Sequence, residues 1–457
     1  MLRRILVPLG LISILAAALA WQLAGTVRAE MPRPPVVDKA SGLAVSGRYE
    51  LREGQRVLTL WGTPRERGFA HGYLLAESIV RGLEHDFERV LKPLIPTYES
   101  IVRRGVVPKF AFEPRELEEL EGLYEGLKAR LPPEQRVVKG LGREFDLIDI
   151  KALNTFGDWY GLGCSSLAVW GDRTQDGAPL VGRNFDFPGF FLLIEHQYVV
   201  VRAPDGEAQG QVGVAYPGSI GVMTGMNEAG VFLAVHDVRI KPTLDKAMRP
   251  NVPRLLAARR ILERTSGSEA CDQALALARH WPTLYGNNFM VVAPAASKTA
   301  PHAAVLEYDC RSDMEGGCTL RRIDAEGDQP DTASAMCLTC TNHHRCRVEP
   351  DGYKEQHPRW RFPLLSDVGA AEVPDGRFDV MGLFAHINSV SFPREGVQRL
   401  ATAIRGEKRA HGTLHQVVGE PAVGRLHIRL GQVGRHIRDM APRRYAVGPL
   451  VRQARAR

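Results

Sequence analysis

Gly163-Cys164-Ser165-Ser166 opens an apolar run that ends at Trp170. Asp176-Gly177 then marks a turn, and Pro179-Leu180-Val181-Gly182-Arg183-Asn184-Phe185-Asp186-Phe187 follows. The alternation after Cys164 predicts a strand, and 179–187 predicts its hairpin partner. That pairing sets one thiol at the first residue of a strand, opposite an Arg and an Asp. A fixed positive charge beside a cysteine favours the thiolate, the nucleophilic form. The expectation is that the chain is cut between Gly163 and Cys164 and that Cys164 does the chemistry.

Upstream, the chain reads as mostly helical. A strand is predicted over Tyr49 to Trp61, and helices over Phe69 to Val90, Glu113 to Leu131 and Asp149 to Tyr160, with Pro132-Pro133 closing the second. Downstream the character changes to an antiparallel meander, with strands at 165–172, 179–187, 197–203, 211–216, 219–226 and 231–238. Helices follow at Val252 to Glu263 and Glu269 to His280. Strands return at 288–293, 302–308 and 333–338, then a helix near Glu395–Arg405 and a strand pair at 414–418 and 425–430. Strands grouped between helices predict stacked sheets under helix layers, an α+β fold.

Residues 1–30 have the form of a targeting segment. Arg3 and Arg4 precede an apolar run from Ile5 to Gly25, and Val27-Arg28-Ala29 resembles a cleavage site. A signal peptide or an N-terminal membrane anchor through residues 5–25 is expected, with the rest exported to a periplasmic or extracellular space. The 457 residues carry a formal net charge of +7, and arginines crowd the end of the chain. No nucleic-acid motif accompanies them, so a solvated or membrane-proximal tail is expected and no nucleic-acid partner. Seven cysteines in an exported chain read first as disulfides plus a remainder. If six pair, Cys164 is the odd thiol, kept for catalysis or as an inert buried group.

These segments resemble the N-terminal-nucleophile (Ntn) hydrolases, in the branch of the penicillin acyltransferases, acid ceramidases and choloylglycine hydrolases. The pieces, in order, are the propeptide-like Gly62 to Ile79, Gly-Cys-Ser-Ser, Gly182 to Phe187, Gly225-Met226-Asn227-Glu228-Ala229-Gly230, Thr341-Asn342-His343, Pro358-Arg359-Trp360, and Thr413 to Val418. The resemblance implies an αββα sandwich of two antiparallel sheets between helix layers. It also implies a helical propeptide or alpha-chain over 31–163 and a catalytic beta-chain over 164–457, the two fragments of one precursor remaining a single folded unit. Its chemistry stands on its own terms. A free α-amine has a pKa of about 7.7–8.0 and accepts a proton near neutrality, which a peptide nitrogen does not. The cut therefore creates nucleophile and base in one residue, and no cofactor or metal is required.

By the same resemblance, Arg183 holds the thiolate or substrate and Asp186 orients the α-amine. Asn342 donates its amide to the oxyanion, and backbone N–H groups near His236–Asp237 complete the hole. Arg359 supplies a second cation, with Arg361 on the same face if that segment is extended. Two departures stand out: His236-Asp237 where the choloylglycine branch has an Asn, and His344-Arg345 after the Asn-His pair. The implied substrate is an N-acylated small molecule with a linear amide, with hydrolysis and acyl transfer both open. Alternatives are a phospholipase B-like ester hydrolase on the same fold and an uncleaved exported binding protein. A zinc site at Cys337, Cys340, His343, His344 and Cys346 competes with a disulfide knot bracing the Asn342 loop. A papain-like protease lacks its local cysteine motif here.

Overall fold

The computed structural model describes residues 45–85, 95–158, 163–187, 193–238, 240, 249–294, 302–309, 317–322, 336–347, 356–391, 412–432 and 435–457. The targeting segment, Cys310 and the predicted helix near 395–405 lie outside the described residues.

Two sheets stack face to face. In chain order the strands are β1 (Gly47–Arg52), β2 (Gln55–Gly62), β3 (Gly163–Val169), β4 (Leu180–Phe187), β5 (Tyr198–Pro204), β6 (Gln211–Ala215), β7 (Thr224–Asn227), β8 (Phe232–Val238), β9 (Gly286–Val292), β10 (Ala303–Tyr308), β11 (Cys318–Arg321), β12 (Cys337–Cys340), β13 (Gly412–Glu420), β14 (Arg425–Leu430) and β15 (Arg443–Ala446). The nine-stranded sheet runs β1-β2-β5-β6-β7-β8-β9-β10-β11, and the six-stranded sheet β12-β3-β4-β13-β14-β15. Pairing is antiparallel except between β2 and β5. Ala168 and Val181 from one sheet meet Val201, Val212, Phe232 and Met290 from the other in a continuous apolar layer. Helices cover both outer faces, which gives the expected αββα sandwich.

On the nine-stranded face lie α1 (Pro64–His85) and α2 (Pro114–Arg130). Each begins with a reciprocal cap: Thr63 and Glu66 bond each other's backbone N–H, and so do Glu113 and Glu116. The first cap starts α1 five residues before the sequence reading. The two helices cross through glycine contacts, since a Cβ on Gly68 would stand 1.9 Å from the Glu119 carbonyl oxygen. α3 (Leu147–Thr155), α4 (Arg254–Arg264) and α5 (Ala270–Ala278) extend this layer. On the other face, α6 (Gln356–Ser366) and α7 (Val380–Asn388) bury Leu365, Leu383, Phe384 and Ile387 against Leu167, Val169 and Leu180.

Some expectations are corrected. The strand expected over 49–61 is a hairpin turning at Glu53-Gly54, both with positive φ. The arginine-rich end is folded: β15 joins the small sheet, and α8 (Val447–Arg455) buries Val447, Val451 and Ala454 while Arg455 pairs with Glu228. Those three apolar residues recur at helical spacing, which outweighs the charges between them. Six paired cysteines are also not found, because Cys271, Cys318 and Cys340 are free thiols. Burial pushes the first two up to about 12. Cys337 and Cys340, three apart on β12, face opposite cores and so converge neither on a metal nor on each other.

Candidate active site

β3 and β4 pair in the register Gly163↔Asp186, Cys164↔Phe185 and Ser166↔Arg183. Gly163 is fitted to this place by contact. A Cβ there would lie 3.1 Å from both the Cβ and the carbonyl oxygen of Asp186. Cys164 is fully buried, and Arg183 donates from Nη2 to its Sγ at 3.3 Å. Burial pushes the thiol up, and the Arg183 charge opposes that push.

Arg183 is itself held from several sides. Its Nη2 also donates to the Val235 carbonyl at 2.9 Å, its Nη1 to the Asn184 carbonyl at 3.0 Å, and its Nε to Thr224 Oγ1 at 2.5 Å. Thr224 meets His415 Nε2 at 3.1 Å. His415 is stacked on Phe185, and burial with the Arg183 charge drives it well below the usual range, so it is neutral. The guanidinium thus has a fixed position over the thiol.

A second cation completes the arrangement. Arg361, fully buried on α6, donates from Nη1 to Asp186 Oδ2 at 3.0 Å and from Nη2 to Asn342 Oδ1 at 2.6 Å. The segment is helical, and positions two apart on a helix sit about 200° apart around the axis. A face shared by Arg359 and Arg361, expected if the segment were extended, does not arise in a helix, and Arg361 reaches the site. Asp186 also accepts from Thr413 Oγ1 at 2.6 Å. A bulge at Leu414 places Thr413 opposite Asp186 and His415 opposite Phe185, so that both bear on β4. Burial raises the Asp186 carboxyl to about 6 against the pull of Arg361 and Thr413.

Asn342 bonds both Cys164 and Asp237. Its Oδ1 accepts the Cys164 backbone N–H at 2.6 Å, and its Nδ2 donates to the Asp237 carbonyl at 2.7 Å. Donors on one side and an acceptor on the other fix the amide orientation. This side chain thus holds the Cys164 nitrogen. Asp237 meets Asn342 through its carbonyl, while its carboxylate receives Arg254, whose guanidinium also pairs with Asp158. His236 points between the sheets to Ser166 Oγ at 2.9 Å and is held neutral by burial and the nearby Arg183.

Cys164, Arg183, Asp186 and Asn342 therefore come together with Arg361, and Asp237 touches the group through Asn342. Residues 173–356 match the acyl-coenzyme A:6-aminopenicillanic acid acyl-transferase family. This is the penicillin acyltransferase branch that the segments around Cys164 resemble. The matched residues include Arg183, Asp186, Asp237 and Asn342; they begin after Cys164 and end before Arg361.

A protein of Archaeoglobus fulgidus, described only as uncharacterized, is 28% identical over 257 residues, or 52% of this chain and 41% of that relative's length. The match thus spans well under half of that protein. Similar solved structures include a Caenorhabditis elegans ortholog of N-acylethanolamine-hydrolyzing acid amidase, with 15% identity, 62% of this chain, 99% of that one and TM-score 0.38. A variant of the conjugated bile acid hydrolase of Clostridium perfringens gives 14%, 62%, 96% and 0.39. Penicillin V acylase of Agrobacterium tumefaciens gives 16%, 59%, 83% and 0.37.

The sequence reading assigned no role to Thr413, Thr224 or His415. Thr413 and His415 belong to a segment singled out only as a final strand, and the bulge that aims both at β4 leaves no mark in the residue types.

Proposed function

We propose that this chain is an autoproteolytically activated cysteine Ntn hydrolase or acyltransferase acting on the linear amide of an N-acylated small molecule. The observation that carries the reading is the pair of contacts on Cys164: Arg183 on its sulfur and Asn342 on its nitrogen. A residue needed only for packing requires neither. The matched family, one of acyl transfer, points to the same chemistry.

In the precursor, the Cys164 thiol attacks the Gly163 carbonyl, and the peptide C–N bond breaks with the proton passing to the departing nitrogen. Water then hydrolyses the thioester, leaving Gly163 as a carboxylate and Cys164 with its free thiol. The new α-amine accepts the thiol proton of the next cycle, and Asp186 with Arg361 and Asn342 holds that amine in place. Attack on a substrate amide forms the S–C bond and sends the carbonyl electron pair to oxygen. Collapse expels the amine, which leaves with the proton. Water or an acceptor amine then takes the acyl group from sulfur. The same steps serve an ester, which is the alternative substrate class.

In this reading 31–163 and 164–457 are the two fragments of one unit, and residues 1–30 direct the protein to an exported or membrane-anchored location. Intact mass and N-terminal sequencing of wild type beside Cys164→Ala test it. Two fragments, one beginning at Cys164 and absent from the variant, are expected. A single uncut wild-type chain would overturn the enzyme and leave a binding scaffold.

A further inference from the structure

Tyr216 follows β6 directly and lies in the same apolar cluster as Cys164 and Phe185. Its ring packs against Phe185 with centroids 6.3 Å apart, and Phe185 is the residue paired with Cys164 across the strands. Its backbone is pinned as well, because the Tyr216 carbonyl accepts both the Tyr198 hydroxyl at 3.1 Å and the Ser219 N–H at 3.0 Å. Yet the Tyr216 hydroxyl is buried and bonds to nothing among the described residues. A buried hydroxyl without a partner is costly and rare, and it calls for an explanation.

The surroundings supply one. The Tyr216 hydroxyl feels the charges of both Arg183 and Cys164, but it makes no hydrogen bond to either. It belongs to the cluster around the thiol, so a group bound at Cys164 is a candidate partner for it. Meanwhile the donor expected for the oxyanion, the Asn342 amide, is engaged by the Asp237 carbonyl. Burial keeps the phenol protonated throughout the working range, so it is a donor at every useful pH.

We propose that the Tyr216 hydroxyl is a substrate-contacting donor, hydrogen-bonding the carbonyl oxygen of the bound amide as Cys164 attacks the adjoining carbon. The phenol keeps its proton; the S–C bond forms and the carbonyl pair moves onto the oxygen that Tyr216 holds. This rests on the amide-cleaving reading given above, and it adds a residue to which that reading assigns no part.

The test uses the full-length protein, processed by itself, with N-acyl 4-nitroanilides from acetyl to palmitoyl as probes. Tyr216→Phe keeps the ring and removes only the unpartnered oxygen. Expected are a loss of roughly 100-fold in kcat, KM within about threefold, and a melting temperature equal to wild type or higher. Active wild type with a Y216F kcat within twofold overturns the Tyr216 role alone. Wild type that turns over none of the anilides overturns the amidase reading, and this inference with it. Should Y216F fail to fold, 3,5-difluorotyrosine at position 216 retains shape and hydroxyl but ionises at lower pH. Activity that then falls on the alkaline side, where wild type holds, supports the donor; an unchanged profile overturns it.

Discussion

The Asn342 side-chain oxygen lies 2.6 Å from the Cys164 backbone nitrogen, across 178 residues of chain. The nitrogen that cleavage would free as an amine is therefore already held in the uncut chain. Arg361 shares the same oxygen and reaches Asp186 with its other arm, so amide, guanidinium and carboxylate form one preset cradle. A site built this way needs no rearrangement around the nitrogen when the peptide bond breaks.

Asn342→Ala should slow both maturation and turnover. It releases the Cys164 nitrogen and leaves the Asp237 carbonyl and one arm of Arg361 without this partner. A loss on the order of 100-fold is expected, read by the rate at which precursor disappears on a gel and by steady-state kinetics of whatever fragment forms.

Arg361 and Arg359 should separate cleanly. Arg361→Ala leaves Asp186 buried without its nearest charge, a change of about 3–5 kcal/mol, and turnover should fall by about 100-fold or more. Arg361→Lys keeps the charge but loses the two-armed contact, and should restore only part of the activity. Arg359→Ala should alter kcat/KM by less than about fivefold. Denaturant unfolding beside kinetics decides both, and equal effects at the two positions would contradict the helical geometry.

Thr413→Val should move the acid limb of the pH profile. Burial holds Asp186 at about 6, while Arg361 and the Thr413 hydroxyl favour the carboxylate. Activity that needs the carboxylate rises with pH through that value. Removing the hydroxyl withdraws a lowering influence, so the limb shifts to higher pH while the plateau changes little. A limb that stays put would assign it to another group.

The two fragments should remain together after cleavage, even in concentrated salt. Glu119, before the proposed cut, accepts from Arg259, after it, at 2.7 and 3.0 Å, and from Arg67 at 3.1 Å, all fully or nearly buried. Burial opposes ionisation there, but Arg259 and Arg67 outweigh it and hold Glu119 at about 2. Salt screens exposed charges far more than buried ones. Glu119→Ala should cost about 3–5 kcal/mol, and native mass spectrometry should then detect separated fragments that wild type does not release.

The hairpin at Cys164 was legible because alternation, a turn dipeptide and a second alternating run agree over 25 residues. Arg361 was not, because Pro358 and Pro363 suggest an extended segment, whereas the chain accommodates both prolines within α6. The Asn342 contact could be anticipated as a neighbourhood but not in its direction. Which end of an amide meets a nitrogen depends on donors brought from β3 and α6 and an acceptor from β8 by the fold. The terminal helix was obscured by its arginines, although Val447, Val451 and Ala454 already carried the pattern. Tyr216 gave no sign, since a tyrosine before Pro217-Gly218 reads as the end of a strand.

The parallel pairing of Gln55–Gly62 with Tyr198–Pro204 has a practical consequence for anyone making this protein. A gene beginning at residue 164 would yield a chain whose large sheet stops at Tyr198–Pro204, presenting a row of bare amides and carbonyls. Such an open border recruits other chains, and insoluble material is the usual result. The two halves are thus best synthesised as one polypeptide. The early hairpin supplies the strand that borders Tyr198–Pro204 in the large sheet.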